Sequence, residues 1–422
     1  TGHGFAARGR SVRVRLDRDS PSDATDVLAV DTDSRAVDAE TARQRVATAF
    51  ERYPAILAYK KVDSTLRGNV VAEVDAAVAA TETDVAVVAP AFPAAGRTTV
   101  DGHHYVEDAP LADAGYGVDE SDLRTVFEDS RYPVEHVDQE MVEAGAAVVR
   151  DALAAAVDGR EEPALAVCDA SEASHLHAVA AGARALADGG GPGAGGAGAD
   201  PLYVGSGGLA THVAVPGDPS EAEPAPSSDP ERDGVLGVVG SVNERTLAQL
   251  AAVPDELVVE LDATAAVRDP ERTGREAAAA LEQRLDERGR AVVTAASDPE
   301  AVERAERAVE ETDGEADTGA LAARRVATAL GAAAGATVET AVPAGLFLTG
   351  GDVARTTLDR LDAAELALTG EAVADGIPEG VVTAGPAAGT RVVTKAGGFG
   401  TEGTILNCLD ALDPTWTDRQ SP

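Results

Sequence analysis

The chain has 422 residues, room for two or three domains of about 100 to 200 residues each. Its 44% hydrophobic content excludes global disorder, and with aromatics at 3% the core must be built from Ala, Val and Leu. The formal net charge of -38, from 73 acidic against 35 basic residues, repels phosphate backbones and anionic headgroups, so neither nucleic acid nor a membrane surface is an expected partner.

From the first residue to about 215, short Val-rich runs alternate with Ala-rich helical stretches, and strands are expected over 12–16, 27–30, 85–89, 164–168 and 202–204. The alternation restarts at 235, with strands over 235–239, 257–261, 291–295 and 346–348 and helices over 243–252 and 271–288. Short apolar strands separated by helices imply parallel sheets covered on both faces. The stretch 216–234 is acidic, rich in Pro and Ser and without apolar period, so it reads as a linker; 188–200 is almost all Gly, Ala and Pro and lies inside the first domain. The expected architecture is α/β: two domains, 1–215 and 235–422, each a largely parallel sheet flanked by helices, with a ligand cleft between them.

Only Lys60, Lys61 and Lys395 are lysines among the basic residues. Acidity, small aliphatics and scarce lysine together fit a halophilic, high-salt cytoplasm, where screening removes most self-repulsion. Cys168 and Cys408 stand far apart, which suits a reducing compartment and gives no disulfide framework or thiolate metal site. No run of 18 apolar residues appears.

Open α/β sheets hold ligands beyond the carboxyl ends of their strands. Three unusual clusters fall there in the first domain. Lys60-Lys61-Val62-Asp63-Ser64-Thr65-Leu66-Arg67-Gly68-Asn69 follows an apolar stretch and precedes a helix starting near Val70; Asp63, Ser64 or Asn69 could equally be its N-cap. Pro90-Ala91-Phe92-Pro93-Ala94-Ala95-Gly96-Arg97 follows the strand 85–89 as a rigid loop suited to offering Arg97 to an anion, or as an ordinary turn. Asp31-Thr32-Asp33-Ser34-Arg35 follows the strand 27–30.

In the second domain Gly350-Gly351-Asp352 separates a strand from a helix, and Gly397-Gly398-Phe399-Gly400 comes just after Lys395. Glycine turns of this kind let backbone amides and a helix N-terminus approach a phosphate, with Lys395 adding charge; both also serve as plain structural turns. Ser241-x-x-Glu244 reads as a capping box. A Walker A loop is excluded, because no lysine follows a glycine. Gly205-Ser206-Gly207-Gly208-Leu209-Ala210 fits the dinucleotide fingerprint without a suitable acid downstream, and His103-His104 and His175-x-His177 read as solvated histidines lacking further metal ligands.

Taken together, Lys61 to Gly68, Pro90-Ala91-Phe92-Pro93 with Gly96-Arg97, Gly350-Gly351-Asp352, Gly370-Glu371 with Gly376 and Pro378, and Lys395 with Gly397-Gly398-Phe399-Gly400 resemble the four-carbon acid sugar kinase family. The resemblance implies ATP-dependent phosphorylation, with Mg²⁺, of threonate, erythronate or 3-oxo-tetronate at the terminal hydroxyl. It implies acid-sugar binding by the first domain, through Arg35, Lys61, Val62, Asp63, Ser64 and Arg97. Nucleotide binding falls to the second, through Ser241, Gly350, Gly351, Asp352, Lys395, Gly397 and Gly398. Asp63 is the candidate proton acceptor for the attacking alcohol, since a carboxylate substrate needs cations and its hydroxyls need acceptors. The family usually opens on a strand and an Asp-Asp pair before Thr-Gly. Thr1-Gly2 is the first pair here, so the sequence reads as a fragment without them. The competing class is a non-catalytic sugar-acid or nucleotide sensor that keeps both pockets. Homo-oligomerisation is left open.

Overall fold

A computed structural model describes residues 1–16, 25–189, 201–219, 232–313 and 318–413. Parts of the linker 216–234 and of the Gly-rich stretch 188–200 lie outside the described residues. The chain forms two compact units, one of residues 1–5 and 30–219 and one of residues 6–29 and 220–422.

The first unit is built on a five-stranded parallel sheet in the order Tyr59–Lys61, Pro201–Gly205, Val85–Ala89, Ala164–Cys168, Val134–Val137. Val85–Ala89 and Ala164–Cys168 are buried at every position, because helices cover both faces of a parallel sheet. Gly182, on the helix Ala173–Ala187, lets that helix close on Ala146–Val157: a Cβ there would lie 2.7 Å from Val149. A small antiparallel sheet of Arg97–Val100, His103–Val106 and Ala109–Pro110 completes the unit.

The second unit carries a nine-stranded sheet. Five strands run parallel, in the order Val258–Glu260, Arg290–Thr294, Val235–Val239, Gly345–Thr349, Arg391–Lys395. Ile377–Val382, Glu365–Ala374 and Val12–Arg15 then add antiparallel neighbours, with Val27–Val30 at the edge. The sheet is therefore mixed, with an antiparallel hairpin between Glu365 and Val382 that the helix-and-strand alternation did not predict.

Residues 6–29 group with the second compact unit. Val12–Arg15 pairs with Glu365–Ala374, and Arg15 donates to the buried Glu365 carboxylate at 2.6 Å, with Arg13 3.5 Å away. A buried carboxylate needs such cations, and these come from more than 300 residues up the chain.

The small-residue composition has a packing purpose. The helices Pro270–Arg288 and Thr318–Thr340 touch where a Cβ on Gly274 would lie 2.3 Å from the Ala329 carbonyl oxygen, so only glycine permits the approach. Ala and Gly bring backbones together where aromatics would hold them apart.

Candidate functional site

In the first unit the two adjacent lysines belong to the strand Tyr59–Lys61 itself, not to the loop after it, and alternation sends them opposite ways. Lys60 is buried; its Nζ pairs with Glu73 at 2.7 Å and donates to the Lys61 carbonyl at 2.6 Å, a structural role. Lys61 is exposed at the strand's carboxyl end. Crowding by surrounding protein, then the positive charges of Arg35, Lys60 and Arg67, hold its pKa below the ordinary lysine value against the pull of Asp63.

The loop that follows is tightly wound. The Leu66 N–H donates to the Asp63 carbonyl, and Leu66 adopts φ 53°, a left-handed conformation that costs an L-residue roughly 1–2 kcal/mol. Arg67 Nε donates to Asp63 Oδ2 at 2.6 Å, and the Thr65 N–H reaches Oδ1 at 3.3 Å. Burial works to raise the Asp63 pKa, but the Arg67 bond and charge together with Lys61 outweigh it, and the carboxyl sits below its usual range. The Val62 side chain is buried in the core, and its N–H donates to the Gly205 carbonyl at 2.9 Å.

Arg35 reaches the same place through Asn69. Asn69 heads the helix Val70–Thr81 without a side-chain cap bond; its amide instead donates to the carbonyls of Ser34 at 2.9 Å and Val37 at 2.8 Å. Gly68, at φ 94°, leaves room for the Arg35 side chain, which a Cβ there would meet at 2.9 Å. Arg35 is exposed, and among the described residues neither it nor Lys61 has an ion-pair partner. Tyr116, which the sequence did not flag, joins two more cations: Arg67 lies over its ring at 5.8 Å, and Arg97 Nη2 donates to its hydroxyl at 3.4 Å. Arg97 Nη1 is also bonded to the Ala95 carbonyl, so this arginine is partly committed to its own turn.

Gly205 to Ala210 is a packing element. Ser206 caps the four-residue helix Gly207–Ala210 and donates to the Ala91 carbonyl at 3.0 Å, and a Cβ on Gly208 would lie 2.5 Å from that same oxygen. The histidines read as solvated are corrected in two places, since His104 and His175 are both buried.

In the second unit three strand ends meet. The Gly240 N–H donates to the Thr349 carbonyl at 3.0 Å and the Gly350 N–H to the Lys395 carbonyl at 3.4 Å. A Cβ on Gly397 would lie 2.2 Å from Ser241 Oγ, and one on Gly350 would lie 3.2 Å from the Ser241 nitrogen. Ser241, Gly350 and Gly397 are thus brought to one spot. The helix Gly351–Arg360 starts there with Gly350 at φ 95° and no side-chain cap, so its first amides are unsatisfied and exposed at Gly351 and Asp352. The capping box at Ser241 is corrected: Asn243 caps the helix Glu244–Ala251, accepting from the Arg245 N–H at 3.1 Å.

The turn after Lys395 is gripped by its carbonyls. Thr246 donates to Gly397 at 2.8 Å, Arg245 to Gly398 at 3.1 Å and Gln249 to Phe399 at 3.1 Å. The Lys395 ammonium is buried beneath and faces Thr246 Oγ1 at 3.1 Å and the carbonyls of Ala396 and Gly397 at 3.2 Å and Phe399 at 3.4 Å. In this arrangement the ammonium fixes the turn. With the carbonyls drawn inward, the Gly397 and Gly398 amides are left for an anion, and a Cβ on Gly398 or Gly351 would meet nothing within 4 Å.

A Sugar-binding N-terminal domain family matches residues 1–213, and a Nucleotide-binding C-terminal domain family matches residues 236–405. The chain is 32% identical to a D-threonate kinase of Salmonella typhimurium over 97% of this chain and 94% of that one. It belongs to the four-carbon acid sugar kinase family. Members of this family are phosphotransferases acting on an alcohol group. A D-threonate kinase of Bordetella bronchiseptica is 35% identical over 92% of this chain and 86% of its own. Relatives in Heliobacterium modesticaldum and Methylobacterium radiotolerans, 29% and 30% identical, are named D-erythronate kinase and 3-oxo-tetronate kinase; they cover 92% and 83% of this chain and 87% and 79% of their own. The fold is shared with a crystal structure from Salmonella typhimurium LT2, at a TM-score of 0.73 and 19% identity over 96% of both chains.

Among the described residues no three His, Cys, Asp or Glu side chains gather as a metal site, and no helix is long and apolar enough to cross a membrane. The exposed carboxylate of Asp352, beside the open amides, suits a Mg²⁺ that arrives with a nucleotide, since Mg²⁺ usually takes one or two carboxylates together with phosphates.

Proposed function

We propose that this protein transfers the γ-phosphoryl group of ATP to the terminal hydroxyl of a four-carbon sugar acid, with D-threonate as the first candidate. The observation that carries this reading is that Arg35, packed against Gly68 of the same loop, and Lys61, two cations without ion-pair partners among the described residues, act on one another while the Asp63 carboxylate acts on Lys61, in a chain of net charge -38. Such a group takes a substrate that has a carboxylate at one end and hydroxyls beyond it. Arg35 and Lys61 hold the carboxylate by charge-assisted hydrogen bonds. Anchoring at that end leaves the primary hydroxyl, the farthest and least hindered, as the nucleophile.

Asp63 accepts a hydrogen bond from that hydroxyl and orients it. Its lowered pKa suits orientation better than proton storage. As the alcohol oxygen bonds to the γ-phosphorus, the bond from phosphorus to the β–γ bridging oxygen breaks, ADP carries away that electron pair, and the hydroxyl proton passes through Asp63 to solvent. The amides of Gly351, Asp352, Gly397 and Gly398 cradle the phosphates, with Ser241 against the turn. Asp352 would hold a Mg²⁺ arriving with the nucleotide, and such an ion would supply neutralisation of the developing charge.

The reading also places the protein in a high-salt cytoplasm, consistent with its charge and with two free, buried cysteines. The test is ADP release in molar KCl with Mg²⁺, over D-threonate, D-erythronate and the 3-oxo acids. Release that requires a tetronate, greatest with D-threonate, is expected. Binding of both ligands without ADP release would instead support a non-catalytic sensor, and no response to any of these acids would overturn the substrate class.

A further inference from the structure

We propose that His104 is a positioning residue for the acid-sugar loop: its Nε2–H holds the Ser64 carbonyl and so fixes where Asp63 presents its carboxylate. The inference rests on the reading of the Asp63 loop as the acid-sugar site.

His104 is fully buried, and its Nε2 lies 2.8 Å from the Ser64 carbonyl oxygen. A carbonyl only accepts, so Nε2 carries the proton. In the neutral ring Nδ1 is then the acceptor, and Thr99 Oγ1, 2.9 Å away, donates to it. Burial first, and the nearby Arg97 charge second, lower the His104 pKa against the opposing Ser64 carbonyl, which keeps the ring neutral. Both hydrogen bonds of the imidazole are therefore determined, and one of them ends on the backbone between Asp63 and Thr65.

A clamp needs a fixed base, and the hairpin Arg97–Val100 with His103–Val106 supplies one. Thr99 and His104 are directly opposed in its register. Thr99 exchanges two backbone hydrogen bonds of 2.9 Å with Ala170, just past the end of the sheet strand Ala164–Cys168. The buried Asp169 accepts from the N–H groups of Asp101 at 2.8 Å and Gly102 at 2.9 Å, closing the turn of the hairpin. The hairpin is thus stapled to the parallel sheet on one side while His104 reaches the Asp63 loop on the other. That loop contains a left-handed Leu66, a conformation that persists only where its surroundings hold it.

The test compares His104→Asn with His104→Gln. Gln can place an amide donor near the Nε2 position, whereas the shorter Asn keeps at most the Thr99 side of the pair. For His104→Asn we expect the KM for D-threonate to rise about tenfold with the KM for ATP unchanged, and His104→Gln to restore most of the loss. Hydrogen–deuterium exchange of the amides at 64–68 should quicken in His104→Asn and return toward the wild-type rate in His104→Gln. Should His104→Asn fail to fold, Thr99→Val, which removes the hydroxyl that orients the ring, should show the same changes at smaller size. Equal exchange in wild type and all variants overturns the clamp. Faster exchange with an unmoved D-threonate KM leaves the clamp standing and overturns the assignment of this loop to the acid sugar.

Discussion

The ammonium of Lys395 lies 3.2 Å from the carbonyl oxygen of Gly397, two residues further along the same turn. Thr246 Oγ1, 3.1 Å from that ammonium, donates to the same carbonyl at 2.8 Å. The lysine thus acts on the glycine turn through its carbonyls.

This geometry makes Lys395→Arg a costly exchange although it keeps the charge. A planar guanidinium cannot gather acceptors placed around a compact ammonium in a buried site. A charge-assisted hydrogen bond contributes roughly 1.5–3 kcal/mol, so the KM for ATP should rise about tenfold or more in Lys395→Arg, with a larger rise in Lys395→Ala. Unchanged steady-state constants in Lys395→Arg would remove this lysine from the nucleotide site.

The same residue carries a pH signature. Desolvation first, and Arg245 second, lower its pKa to about 8, with Cys408 opposing. Above about pH 8 the folded protein loses this proton while the unfolded chain keeps it up to about 10.4. Stability therefore rises with pH across that window through this group. The loss of charge loosens the turn, so the KM for ATP should climb above about pH 8. Lys395→Met should show neither trend in denaturation and ATP titrations run from pH 7 to 10.

Gly351→Val separates the nucleotide site from the fold. A Cβ at 351 meets nothing within 4 Å and the backbone there is helical, so the variant should fold normally, yet the added side chain occupies the space a phosphate needs. Calorimetric titration with ATP should show no binding. Asp63→Asn should do the reverse, abolishing turnover while leaving ATP affinity intact; the opposite pattern would mean that the two roles are interchanged between the units.

Gly68→Ala tests how Arg35 is placed. Gly68 has φ 94° and backs onto Arg35, so a methyl group there strains the backbone and displaces the arginine. We expect a loss of about 1–3 kcal/mol in stability, together with a higher KM for the sugar acid. Arg35→Ala, at an exposed side chain, should raise that KM without lowering Tm.

Asp169 holds His136 as well as the hairpin turn, with Nε2 to Oδ1 at 3.1 Å, and that bond raises the His136 pKa above its ordinary value. This pair stabilises the fold fully below the unfolded histidine pKa of about 6.5, and the contribution is lost as pH rises through the folded value. Asp169→Asn should return the His136 titration, followed by NMR, toward its ordinary midpoint. It should also destabilise the hairpin that carries His104, seen as faster amide exchange at 101 and 102.

Strands buried on both faces must be apolar at every position, which is why Val85–Ala89, Ala164–Cys168 and Val235–Val239 were legible residue for residue in the sequence. Glycine pairs at strand ends, and a cluster of cations in a chain so short of lysine, were likewise visible as local features of the sequence. Tertiary structure alone decided what depends on partners remote in the chain. Residues 12–15 pair with 365–368 through a buried Arg15 and Glu365, and no local pattern announces a partner 350 residues away. Three lysines of one chemistry took three directions, inward onto Glu73, outward beside Arg35, and beneath the carbonyls of a turn. His104 looked like a loop histidine because its two partners, Thr99 and the Ser64 carbonyl, are assembled by a hairpin register and a distant loop. Apolar periodicity is written locally, whereas the direction of a buried polar side chain is set by whichever donor or acceptor the fold brings within 3 Å or so.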